Sequence, residues 1–199
     1  METRNKLKEA KYFLEILPKA QEEPDIFYYN LGAFLNSWRS VLDIMLYDFA
    51  EYYALGFTRE DDMDDKEFHA VATALHNEEA VKFIKWWRQK QGMLKNSPLW
   101  KKRIIGFHRG KMNIQSYVYV SGSGGTSGTI SPYVAPLDLP DDSSLGALVP
   151  QAIPVETPQP PILVFSDFPD KNLIEMCTKA FAELEAIVAE AEKSFEIHL

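Results

Sequence analysis

Between Phe27 and Tyr52 the apolar positions recur at steps of three, four and one: Phe27, Leu31, Phe34, Leu35, Trp38, Val41, Leu42, Met45, Phe49 and Tyr52. So wide a stripe predicts a helix over residues 24–55, which Gly56 can stop. At ~1.5 Å per residue it is a rod of roughly 45 Å. A rod of that length needs other helices packed along it, so the pattern predicts a bundle. Residues 5–17 read as a short amphipathic helix that stops near Pro18, and residues 67–75 as another. Asn77 reads as an N-cap with Ala80 at N3, and the helix after it carries Val81, Phe83, Ile84, Trp86 and Trp87 up to Gly92. Ser97-Pro98 sets a cap residue before a proline at the first helical position, which starts a helix over 99–109 with Gly110 as its stop.

The pattern then changes. Residues 115–121 alternate aromatic and β-branched side chains as a strand does, and the glycine-rich stretch 122–128 reads as a turn to a partner strand over 129–135. Eight of the twelve prolines fall between Pro132 and Pro161, which rules out helix there. Residues 162–165 are a short apolar run with the character of a third strand. A final helix starts near Phe168-Pro169-Asp170, with Leu173, Ile174, Cys177, Phe181, Leu184, Ile187 and Val188 on one stripe. The expected fold is mainly α: one helical domain over 1–199, with a β-rich, proline-rich insertion at about 113–166 before the last helix.

Composition narrows the function classes. The 199 residues are 46% hydrophobic and 13% aromatic, enough to bury a core. No apolar run reaches the ~18 residues of a membrane span, and the charged N-terminus lacks the apolar stretch of a secretory signal. A single cysteine, Cys177, permits no internal disulfide and suits a reducing, cytoplasmic location. The net charge of −8 argues against indiscriminate coating of nucleic acid. That average hides an asymmetry. Between Glu79 and Asp138 lie ten bases and no acid, leaving 11 bases and all 29 acids to the remainder. Two readings of this run stand: a cationic face that attracts phosphate, or a helix face that solvent and acidic neighbours neutralise. The acidic block 59–67 lacks the glycine and terminal carboxylate of a calcium loop and reads as a turn capping the next helix.

Metal, P-loop and serine-hydrolase signatures are missing, and no cofactor is expected. His69 and His76, seven apart, read as structural or surface residues. The remaining chemistry lies in Trp100-Lys101-Lys102-Arg103-Ile104-Ile105-Gly106-Phe107-His108-Arg109-Gly110-Lys111. A histidine titrates near neutrality and can move the protons of 2′-hydroxyl attack on phosphorus. An arginine can stabilise the charge gathering on the phosphorane. Lys101, Lys102, Arg109 and Lys111 are candidate contacts for the RNA strand. Five residues put Arg103 and His108 about 140° apart on an ideal helix. Either the end of the helix is distorted near Gly106, or two subunits share the groups across a two-fold axis. Arg39 and Asp43, one turn apart, read as an ion pair, structural or bracing the site.

The Arg103-x4-His108 motif on a late helix, with residues 27–43 (FYYNLGAFLNSWRSVLD), resembles the HEPN superfamily of small antiparallel helical bundles. The resemblance covers the helical parts, about two thirds of the chain. It implies a metal-independent endoribonuclease acting as a homodimer, often within toxin–antitoxin or phage-defence systems, where an antitoxin is a further partner. By position, Arg103 would hold the scissile phosphate and His108 would transfer protons. The chain departs from the pattern at Ile104, where active members usually carry a polar residue, often asparagine. Some members are inactive and serve as modules that bind RNA, a nucleotide or a protein.

Overall fold

A computed structural model describes residues 1–59, 61–100, 114–118, 131–133, 162–165, 168 and 171–197. The chain is mainly α. It divides into two compact units, one of residues 1–112 with 174–199 and one of residues 113–173.

The helical unit is built on α2 (Pro24–Tyr52), 29 residues with proline in its first turn. Its stripe forms the core: Phe27, Leu31, Phe34, Leu35, Trp38, Val41, Leu42, Met45 and Phe49 are all buried. The helix ends three residues before the expected 55, and Ala54 and Gly56 take the left-handed conformations that turn the chain. Ahead of it, α1 (Glu2–Ile16) passes into a 3-10 turn, Leu17–Ala20, with Pro18 in the first turn, where its missing N–H costs nothing. Thr3 bonds to Asp48 and Ser37 to Glu9, so α1 runs antiparallel to α2.

Helix α3 (Asp65–Ala74) starts on a full capping box. The Asp64 side chain accepts from the N–H of Lys66 and Glu67, and Glu67 accepts from the Asp64 N–H. Helix α4 (Glu78–Lys95) is capped by Asn77, whose Oδ1 accepts from Ala80 N at 3.0 Å, the bond expected at N3. It continues through Gly92, which does not end it, and stops at Asn96. Leu94 is why: it is buried two turns beyond Trp87, on the face that Trp87 and Ile84 bury, so the apolar face outlasts the glycine. Phe83 stacks on Phe49 at 3.7 Å, and Trp87 Nε1 donates to Leu42 O at 3.0 Å, which sets α4 antiparallel to α2. Helix α5 (Leu173–Ser194) closes the unit. Trp38 Nε1 donates to Ala180 O at 3.0 Å, Phe195 packs edge-on to Phe49, and Arg4 pairs with Glu192. Helix α5 therefore runs parallel to α2 and antiparallel to α1 and α4.

The second unit carries a three-stranded antiparallel sheet of order β2-β1-β3, made of β1 (Ile114–Val118), β2 (Ser131–Tyr133) and β3 (Ile162–Phe165). Tyr117 pairs with both Pro132 and Ile162. Pro132 is tolerated because β2 is an edge strand, where a missing N–H breaks no ladder. Within the strands expected over 115–121 and 129–135, the described residues 115–118 and 131–133 are strand, and the rest lie outside the described residues. Among the described residues no helix is long and apolar enough to cross a membrane.

Candidate nucleic-acid interface

The route to the candidate motif starts at the end of α4. Ser97 Oγ accepts from Leu99 N at 3.3 Å, and residues 98–100 are helical, the start that Ser97-Pro98 predicts. Leu99 and Trp100 are buried. The Trp100 ring meets Trp38 of α2 edge-on, 6.0 Å between centroids, and Arg39 Cζ lies 4.7 Å from its centre. Two neighbouring residues of α2 thus grip the residue from which the basic segment departs. Arg103, His108, Lys101, Lys102, Arg109 and Lys111 themselves lie outside the described residues.

The described bases of the acid-free run are not free of acids in space. Lys82 pairs with Glu79 at 2.6 Å on the exposed surface of α4. Arg88 crosses to Asp65 at the start of α3, donating from Nε to the carboxylate at 2.6 Å and from Nη2 to the carbonyl at 2.8 Å. Lys90 reaches Glu190 of α5 at 2.7 Å while lying over the Trp86 ring. The Lys90 and Trp86 hydrogen bonds hold the Glu190 carboxyl below its usual range. Three of the five described bases, Lys82, Arg88 and Lys90, are therefore neutralised by folding, whereas Lys85 and Lys95 join no ion pair among the described residues. For Arg88 and Lys90 the acids, Asp65 and Glu190, come from other helices, which distance along the sequence does not show.

No protein-family model, curated protein or solved structure matches this chain.

The i, i+4 spacing of Arg39 and Asp43 predicts an ion pair, yet none of the ion pairs of the described residues joins them. The guanidinium turns onto Trp100 instead, and a helix spacing rule has no means of seeing a tryptophan 61 positions away. The acidic block behaves as expected. Asp64 caps α3, and the N–H and hydroxyl of Thr58 lower the Asp61 pKa by bonding its carboxylate.

His76 takes a left-handed φ of 53° just after α3, so it and His69 are not on one continuous helix. Both nonetheless line an open groove of about 520 Å³ between α3 and α4. Among the described residues no three His, Cys, Asp or Glu converge as a metal site. Cys177 is buried, and burial pushes its thiol pKa far up, which leaves it inert as a nucleophile at neutral pH.

Proposed function

We propose that this chain is a HEPN-like, metal-independent endoribonuclease that works as a cytoplasmic homodimer. The observation that carries the reading is the sequence Arg103-x4-His108 inside the acid-free run. Trp100, fixed on α2 three residues before Arg103, supports it by giving the basic segment a rigid point of departure. In the proposed reaction neutral His108 takes the proton from a ribose 2′-hydroxyl. The 2′-oxygen forms a bond to the adjacent phosphorus, and the bond from phosphorus to the 5′-oxygen breaks. His108 of the partner subunit, protonated, gives its proton to the leaving 5′-oxygen. Arg103 bonds the phosphorane oxygens as their charge grows, and Lys101, Lys102, Arg109 and Lys111 hold the flanking phosphates. The products are a 2′,3′-cyclic phosphate and a 5′-hydroxyl. A toxin–antitoxin or phage-defence setting accords with that activity and makes an antitoxin a further partner.

Purified protein should cleave single-stranded RNA with EDTA present and leave cyclic phosphate ends. His108→Ala should lose at least a hundredfold in rate without losing helicity. Wild-type protein that leaves RNA intact, or a variant that cleaves as well, overturns the reading. Ile104 favours one alternative: a catalytically inactive dimeric HEPN-like module that binds RNA, a nucleotide or a partner protein. An apolar residue after the arginine removes a hydrogen bond that could orient substrate or histidine. Salt-sensitive RNA binding without turnover would select that alternative.

A further inference from the structure

Four arginines stand among the described residues, and three of them are committed: Arg4 to Glu192, Arg59 to Asp48 and Arg88 to Asp65. Arg39 is the exception. Its guanidinium lies against the Trp100 ring, 4.7 Å from Cζ to the centroid, and it joins no ion pair of the described residues. Its Nε is also the one buried side-chain nitrogen or oxygen left without a hydrogen-bond partner among them. A guanidinium stays charged at any physiological pH, and the outer nitrogens of this half-buried one have no hydrogen bond or ion pair among the described residues, so they are the donors open to an arriving acceptor. The contact with the Trp100 ring holds the guanidinium by a cation–π interaction and uses none of its N–H donors, which stay available to phosphate oxygens.

We propose that Arg39, held over the ring of Trp100, is an anion receptor that takes a phosphodiester of bound RNA. The choice of RNA rests on the ribonuclease reading. In sequence Trp100 directly precedes Lys101, Lys102 and Arg103, the bases that the ribonuclease reading assigns to RNA. The receptor itself rests on the uncommitted fork alone.

The test uses the full chain labelled with 15N, following arginine Nε–Hε resonances and assigning that of Arg39 by its loss in Arg39→Lys. Two probes are titrated: inorganic pyrophosphate, and a single-stranded 2′-O-methyl oligoribonucleotide that cannot be cleaved. Both should shift the Arg39 resonance saturably. By fluorescence anisotropy, Arg39→Gln should weaken oligonucleotide binding about tenfold and reduce the slope of log K against log salt by about 0.7, the share of one single-strand phosphate contact. Arg39→Lys should recover part of the affinity. If pyrophosphate moves the resonance and the oligonucleotide neither binds nor moves it, the receptor stands and its RNA assignment falls. If the oligonucleotide binds equally well to wild type and Arg39→Gln, and leaves the resonance still, Arg39 is not the receptor while the RNA reading survives. A resonance unmoved by either probe overturns the proposal, and as that measurement is made on wild-type protein, a variant that fails to fold cannot obscure it.

Discussion

Asp48 lies fully buried in α2, and its carboxylate accepts from Thr3 N at 2.8 Å, Thr3 Oγ1 at 2.7 Å and Arg59 Nη2 at 2.6 Å. Those three donors make a buried charge tolerable, and they fasten the first turn of α1 and the loop after α2 to one point. Asp48→Ala should therefore destabilise the fold by about 2–4 kcal/mol, because two buried donors of Thr3 lose their acceptor. Urea unfolding measures this. Arg59→Ala should cost less, since Asp48 keeps both Thr3 bonds. Nothing in the sequence marked Asp48, which sits among apolar neighbours like any polar interruption of a helix. A partner 45 residues earlier in the chain defines it. Arg39 escaped for the same reason: its local partner was visible and its true contact was not.

At the level of elements, the helix starts that a cap marks were legible residue by residue. Asn77 and Ser97-Pro98 cap as their side-chain chemistry dictates, because a cap is settled by three or four consecutive residues. Gly92 misled because a helix stop also depends on what the following turn can bury, and Leu94 is buried. A Cβ built at Gly92 meets nothing within 4 Å, and its φ is not positive. Gly92→Ala should accordingly stabilise the protein by about 0.5–1 kcal/mol, read as a raised midpoint in urea. The junction of α4 and α5 carries a pH dependence. Glu190 is held below its ordinary 4.5 by Lys90 and Trp86, so its contribution is complete above that value and is lost as pH falls through the depressed folded value. Glu9 adds in the same sense: burial works to raise its pKa, and the Lys6 and Ser37 hydrogen bonds outweigh it. Glu190→Gln should lower stability at pH 7 and narrow the gap between pH 7 and pH 3. A gap equal to that of wild type would show that Glu190 contributes nothing.

For the molecule as a whole, the helical class could be read from periodicity because burial imposes it on every long element. The sheet was legible only in outline. The order of its strands depends on pairing across distant sequence, as Tyr117 with Ile162 shows. The candidate site was legible as a motif, whereas its geometry needs residues 101–111, which lie outside the described set. None of residues 136–160 belongs to the helical unit, so replacing them by a short glycine–serine link should leave its thermal midpoint within about 5 °C. Differential scanning calorimetry decides it, and loss of the transition would show that the helices depend on that stretch.

The discontinuity of the helical unit also has a bearing on how the protein is made. Trp38 bonds to a carbonyl 142 residues further along, and residues 113–173 separate α5 from the helices it covers. At ~5–20 residues per second the ribosome spends roughly 3–12 s on those sixty-one residues. Through that interval α2 has left the exit tunnel with its α5-facing side still wet. A nascent chain in that condition invites chaperone capture, and its bundle can close only once α5 has emerged.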